Sequence, residues 1–103
     1  MAKAPSVTEL VISRRAEGEL RDIWRHIAAE NPDAADRILL RINDKLQLLR
    51  QFPELGTRRD NIRPGARVLI EAAYLILYEH HHAEDVVEIV TVVDGRRDLS
   101  VMI

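Results

Sequence analysis

The sequence predicts an α+β domain in which a helical hairpin packs on one face of a small, mainly antiparallel sheet, in the order β-α-α-β-β-β. Three observations predict it. Apolar residues recur at helical spacing from Ala16 to Ala28 and again from Ala35 to Leu49. Three β-rich runs then follow between Ala66 and Val93, joined by links too short for helical crossovers. The last run, Val86 to Val93, holds six Val or Ile residues in eight, as expected for a strand buried on most of both faces.

A chain of 103 residues has room for one domain, 1–103, and one core. Its 47% hydrophobic and 31% charged residues are those of an ordinary globular protein. With no cysteine, disulfides, thiol nucleophiles and Cys-based zinc sites are excluded. No segment approaches the roughly 20 apolar residues that span a bilayer, and Met1–Ser6 lacks the apolar stretch of an export signal. The expectation is a soluble, cytoplasmic protein without membrane partners. A net charge of −2 gives no general attraction to nucleic acid, and no direct sequence-specific DNA binding by this chain alone is expected.

Taken in order, Val7–Ile12 reads as a first strand and Ser13 as the N-cap of the first helix. Ala16, Leu20, Ile23, Trp24, Ile27 and Ala28 form that helix's apolar face, with Glu19 assigned to the opposite, solvated face. Asn31-Pro32-Asp33 starts the second helix, because Asn caps well, Pro suits the first turn, and Asp suits the positive end of the dipole. This helix is expected to run to about Gln51 and to end at Phe52-Pro53-Glu54-Leu55-Gly56. Thr57 to Gly65 reads as a polar loop. Strands are expected at Ala66–Glu71, Tyr74–Glu79 and Val86–Val93.

A helical hairpin covers only one face of such a sheet, yet the strands are apolar on both. Contiguous exposed apolar area marks an interaction site, so a protein partner is expected on the second face, with Leu99–Ile103 hiding part of it. Arg58, Arg59, Arg63 and Arg67 lie close in sequence against a single acid, Asp60, and Arg96-Arg97 follow the last strand. Gathered on one side, these cations suit one specific anionic partner. His80-His81-His82 with Glu84 and Asp85 contains metal-ligand types, and His80 and His82 share a strand face. No third ligand is specified by spacing, so this stretch reads as a polar hairpin tip and no metal is assigned. Trp24, Tyr74 and Tyr78 read as core residues with wet polar ends. No catalytic triad, phosphate-binding glycine loop or zinc signature is present, and no cofactor is expected.

The order of elements, together with particular residues, resembles the ParE/RelE superfamily of small bacterial toxins, on its ParE side. The residues that carry the resemblance are Ala16, Leu20, Ile23, Trp24 and Ile27, then Pro32 and Ala35. They continue through the Phe52–Gly56 helix exit, Arg67-Val68-Leu69, Tyr74 to Tyr78, and Val92-Val93-Asp94-Gly95-Arg96-Arg97-Asp98. The resemblance implies a toxin of a type II toxin–antitoxin pair, neutralised by a cognate, ParD-like antitoxin that folds onto its surface, through Val68, Ile70, Leu75 and Leu77. It also implies either of two activities: poisoning of DNA gyrase without a hydrolytic site, or ribosome-dependent cleavage of mRNA. After Asp98 the chain has no Tyr or His to move a proton, and arginine is a poor general base. Gyrase poisoning is therefore favoured, with no catalytic residue and with Arg58, Arg59, Arg67, Arg96 and Arg97 as the target-binding set. A ribonuclease is the alternative, and an inactive antitoxin-binding module the third reading.

Overall fold

A computed structural model describes residues 7–96. Arg97 and the Leu99–Ile103 segment therefore lie outside the described residues. The elements are β1 (Glu9–Ile12), α1 (Arg14–Ala28), α2 (Pro32–Leu48), β2 (Thr57–Arg58), β3 (Ala66–Glu71), β4 (Tyr74–His81) and β5 (Val86–Asp94). They build a five-stranded sheet in the order β1-β5-β4-β3-β2. β2 to β5 pair antiparallel, whereas β1 runs parallel to β5, with Glu9 opposite Val86 and Ile12 opposite Ile89.

Both helix starts form as the cap residues dictate. The Ser13 hydroxyl accepts from the Ala16 N–H at 3.0 Å, and the Asn31 side chain accepts from the Ala34 N–H at 3.0 Å. The α1 and α2 stripes meet the sheet in one cluster built from Ala16, Ile42, Leu46, Leu49, Leu69, Ile76, Tyr78, Val87, Ile89 and Val92. α2 ends at Leu48, three residues before its expected end, and continues as turns to Gln51. β4 runs two residues past its expected end, because His80 and His81 keep ladder pairing with Val87 and Val86.

Three local readings change. β2 is a strand of two residues inside the expected loop: Thr57 pairs with Val68, and Arg58 with Arg67. Trp24 is 40% exposed at the margin of the α1 stripe, where its indole N–H donates to Asp36 Oδ1 at 2.8 Å and ties α1 to α2. Glu19 is only partly solvated, its side chain 21% exposed. Its carboxylate accepts from the Thr91 hydroxyl at 2.6 Å and from the Val92 N–H at 3.0 Å.

That last contact lies beside a β-bulge. Leu77 pairs with Thr91 but Tyr78 pairs with Ile89, which leaves Val90 as the extra residue on β5. The shift breaks the two-residue alternation, so Val87, Ile89 and Val92 all reach the helix-side core. β1 stops opposite Ile89, so the next residues of β5 have no strand on that side, and the start of α1 takes their backbone groups: Ser13 Oγ donates to the Val90 carbonyl at 2.9 Å, while Glu19 takes the Val92 N–H.

On the second face of the sheet Ala66, Val68, Leu77 and Val93 form a smaller cluster, with Ile62, Leu75 and Val90 packed against it. Ile62 comes from the loop between β2 and β3, so that loop gives the second face some of its own cover.

Candidate functional site

The loop leaving α2 is held by two side chains from the sheet. The Tyr78 hydroxyl donates to the Pro53 carbonyl at 2.8 Å and accepts the Gly56 N–H at 2.8 Å. Burial of the ring, at 0% exposure, pushes its phenol pKa up, so the hydroxyl stays protonated and able to donate. Arg67 Nη1 donates to the Glu54 carbonyl at 3.2 Å and the Gly56 carbonyl at 2.8 Å. Gly56 cannot carry a side chain here: an added Cβ would lie 2.7 Å from Tyr78 Cε1 and 2.9 Å from the Val68 carbonyl.

The arginines expected to grip a target fall into two groups. Arg58 and Arg67 are cross-strand partners at a corner of the sheet, and Arg59 and Arg63 follow in the adjoining loop. Arg96 follows β5 at the far end of the sheet, level with Tyr74, which pairs with Asp94. Three strand spacings and about four residues of rise put the corner and Arg96 roughly 20 Å apart. The structure thus brings Arg58 and Arg67 together, ties Arg63 to Glu79 of β4, and leaves Arg96 elsewhere.

Each arginine has a partner. Arg58 meets Asp60 through Nε at 3.1 Å and Nη2 at 3.2 Å to its two oxygens; Arg59 donates to Asn61 at 3.3 Å; Arg63 meets Glu79 at 2.7 Å; and Arg96 meets Asp94 at 2.6 Å. The Gly65 N–H, which donates to Asp60 at 2.8 Å, and then Arg58 hold the Asp60 carboxyl below the usual carboxylate range. Asp94 holds the Arg96 guanidinium above its ordinary value. Exposed pairs of this kind contribute little to stability, so a bidentate anionic ligand can exchange for Asp60 or Asp94 at small cost. Arg67 differs, because its bonds to two carbonyls make it part of the loop's support.

Arg96 and Asp94 also stand at a cleft of about 410 Å³ between α1 and the sheet, lined with Glu19, Asp22, Ile23, His26 and Tyr74. Of the residues expected to meet a partner protein, Val68 and Leu77 are buried in the second cluster, Leu75 packs at its margin, and Ile70 is 63% exposed. A partner on this face would find Ile70 as the ready contact and the others only on its rim.

On the other side of the α2 exit loop, Phe52, Pro53, Glu54 and Leu55 line a second recess with His80 and His82. Spacing gave no sign of this grouping, since Glu54 lies 26 residues before His80 in the chain. Asp85 accepts from Thr8 at 2.8 Å and lies 3.0 Å from His80 Nε2. His80, and then Thr8, hold its carboxyl below the usual range.

Two helices on one face of an open five-stranded sheet match the architecture of solved ParE- and RelE-type structures. The family described as "ParE toxin of type II toxin-antitoxin system, parDE" matches residues 10–99, and the chain belongs to it. It is 33% identical over 92 residues to Toxin ParE3 of Caulobacter vibrioides, covering 88% of this chain and 90% of that protein. Among solved structures, the chromosomal ParDE system of P. aeruginosa superposes with a TM-score of 0.73 at 19% identity, over 87% of this chain and 98% of that one. A mutant of the E. coli toxin RelE in the free state gives 0.68 at 14% identity, over 93% and 92%. The RelBE2 toxin–antitoxin complex of Mycobacterium tuberculosis gives 0.61 at 16%, over 85% and 98%. Among the described residues, no helix is long and apolar enough to cross a membrane.

Proposed function

We propose that this ParE-family toxin acts by inhibiting DNA gyrase without hydrolytic chemistry, and that a ParD-like antitoxin neutralises it in the cytoplasm. The observation that carries the reading is the chemistry around the arginines. The partners of Arg58, Arg59, Arg63, Arg67 and Arg96 are carboxylates, an amide and backbone carbonyls, with no imidazole or phenol among them. Beside Arg67 the phenol at hand, Tyr78, has its hydroxyl committed to the loop, whereas Arg96 shares its cleft with His26 and Tyr74 but bonds only Asp94. Cations bonded to no proton donor suit docking to a surface better than cleavage of a phosphodiester. The likeness to a ParDE system supports an antitoxin of ParD type, and Ile70 with Leu75 gives it an apolar edge on the second face. Purified protein at micromolar concentration should block gyrase supercoiling and trap cleavage complexes. Unaffected supercoiling would overturn the reading.

The alternative of mRNA cleavage draws on a different observation, the imidazoles of His80 and His82 across the exit loop from Arg67. Mapping mRNA ends in cells that express the protein decides between the two; new cut sites would favour the nuclease.

A further inference from the structure

We infer that Glu54, His80 and His82 form a binding site for one divalent metal ion of the zinc class, with Asp85 fixing the His80 ring. The donor atoms of the three residues lie within 4.8 Å of one another. Tetrahedral zinc with bonds near 2.0–2.1 Å needs its ligands about 3.3 Å apart. Closing the difference asks for rotation of Glu54 and His82, both exposed and free to turn, and no backbone shift. The backbone is already in place: Arg67 and Tyr78 hold the loop on either side of Glu54, and His80 in β4 and His82 in the turn just after it have their rings 4.1 Å apart.

The decisive atom is His80 Nδ1. It is buried and has no hydrogen-bond partner, a position that buried polar atoms rarely occupy. The other nitrogen, Nε2, stands 3.0 Å from Asp85 Oδ1, which also accepts from Thr8. A carboxylate offers only acceptors, so in the neutral ring the hydrogen sits on Nε2 and Nδ1 keeps the lone pair that a metal would take. A histidine whose second nitrogen donates to a carboxylate is the arrangement that orients imidazole ligands on metals. Two imidazoles and one carboxylate select zinc, copper or nickel over magnesium or calcium. The fourth position is open to water.

A second group of similar residue types, Glu79, His81 and Glu88, has no such vacancy. His81 Nε2 meets Glu88 at 3.0 Å, and Glu79 is already paired with Arg63 at 2.7 Å. Its bonds are those of an ordinary ion-pair cluster. The Glu54 site would instead tie the α2 exit loop to the end of β4, independently of what the toxin targets.

The test is zinc titration of untagged, chelator-treated protein by calorimetry, with thermal unfolding in parallel. One zinc per chain and a Tm raised by several degrees are expected. His82→Ala, an exposed position where folding is unaffected, should weaken binding at least tenfold, as should Glu54→Gln. Asp85→Asn should weaken it by about 10- to 100-fold, while His81→Ala leaves it unchanged. Absence of stoichiometric binding and of a Tm shift would overturn the inference. So would binding that survives His82→Ala and Glu54→Gln, or is lost in His81→Ala alone.

Discussion

The Tyr78 hydroxyl bonds a carbonyl and an amide of the same four-residue loop, and this double use sets its sensitivity. Tyr78→Phe removes the donor to Pro53 and strands the Gly56 N–H in a buried site, so it should destabilise by about 1–3 kcal/mol in urea unfolding. Gly56→Ala should cost a similar amount, about 1–3 kcal/mol, because its methyl meets both the Tyr78 ring and backbone oxygen. The raised phenol pKa also gives a pH dependence. A group harder to ionise in the folded state stabilises fully below its unfolded value, near 10, and this contribution falls as pH rises above it. Unfolding midpoints measured from pH 8 to 11 should drop at the alkaline end, and Tyr78→Phe should flatten that drop. The Pro53–Gly56 exit was legible in the sequence as a chain reversal. That Tyr78 closes it was not, because the two lie 22 residues apart and only the antiparallel register of β3 and β4 brings the ring beneath the loop.

At the level of elements, the caps of both helices and the bounds of β3 could be read directly, since each rests on local backbone chemistry at Ser13, Asn31 and the Ala66–Glu71 run. The bulge at Val90 could not be read, because it leaves no mark in a continuous Val/Ile stretch. Glu19 was misplaced because its partners, the Thr91 hydroxyl and the Val92 N–H, lie more than 70 residues away on a part of β5 that β1 does not reach. Glu19→Ala should therefore cost about 1–3 kcal/mol, far above the effect of an ordinary helix-surface change, and double-mutant analysis with Thr91→Val should show coupling between the two. Leu46→Ala on α2, a residue only 1% exposed, should cost about 2–5 kcal/mol by leaving a cavity in the main cluster. Trp24 is a milder lesson. Spacing reads it as a core residue of the helical stripe, but it stands 40% exposed at the margin because its partner Asp36 belongs to the other helix.

For the whole molecule, the six arginines read as one patch because sequence proximity and strand ends suggested it. The five-stranded order separates the Arg58 corner from Arg96, and that has a functional readout. If both regions touch gyrase, Arg58→Ala and Arg96→Ala should weaken inhibition independently, with the fold-changes multiplying in the double variant, since sites this far apart rarely couple. Each variant should keep its stability within about 0.5 kcal/mol. Inhibition assays on purified variants check both statements. Arg96→Ala with Arg97→Ala should likewise leave folding intact and abolish toxicity; persistence of toxicity would mark this pair as mere surface.

The parallel pairing of β1 with β5 joins Glu9 to Val86 and Ile12 to Ile89, so the first strand waits for a partner synthesised some 77 residues later. During translation the helical hairpin can form early, but the sheet it must cover is missing an interior strand until Val86–Asp94 has been made. Such non-local closure slows folding. A nascent chain stopped before Val86 should show helical structure without cooperative unfolding. A toxin-family protein built this way completes its sheet only when β5 arrives to join β1 to β4.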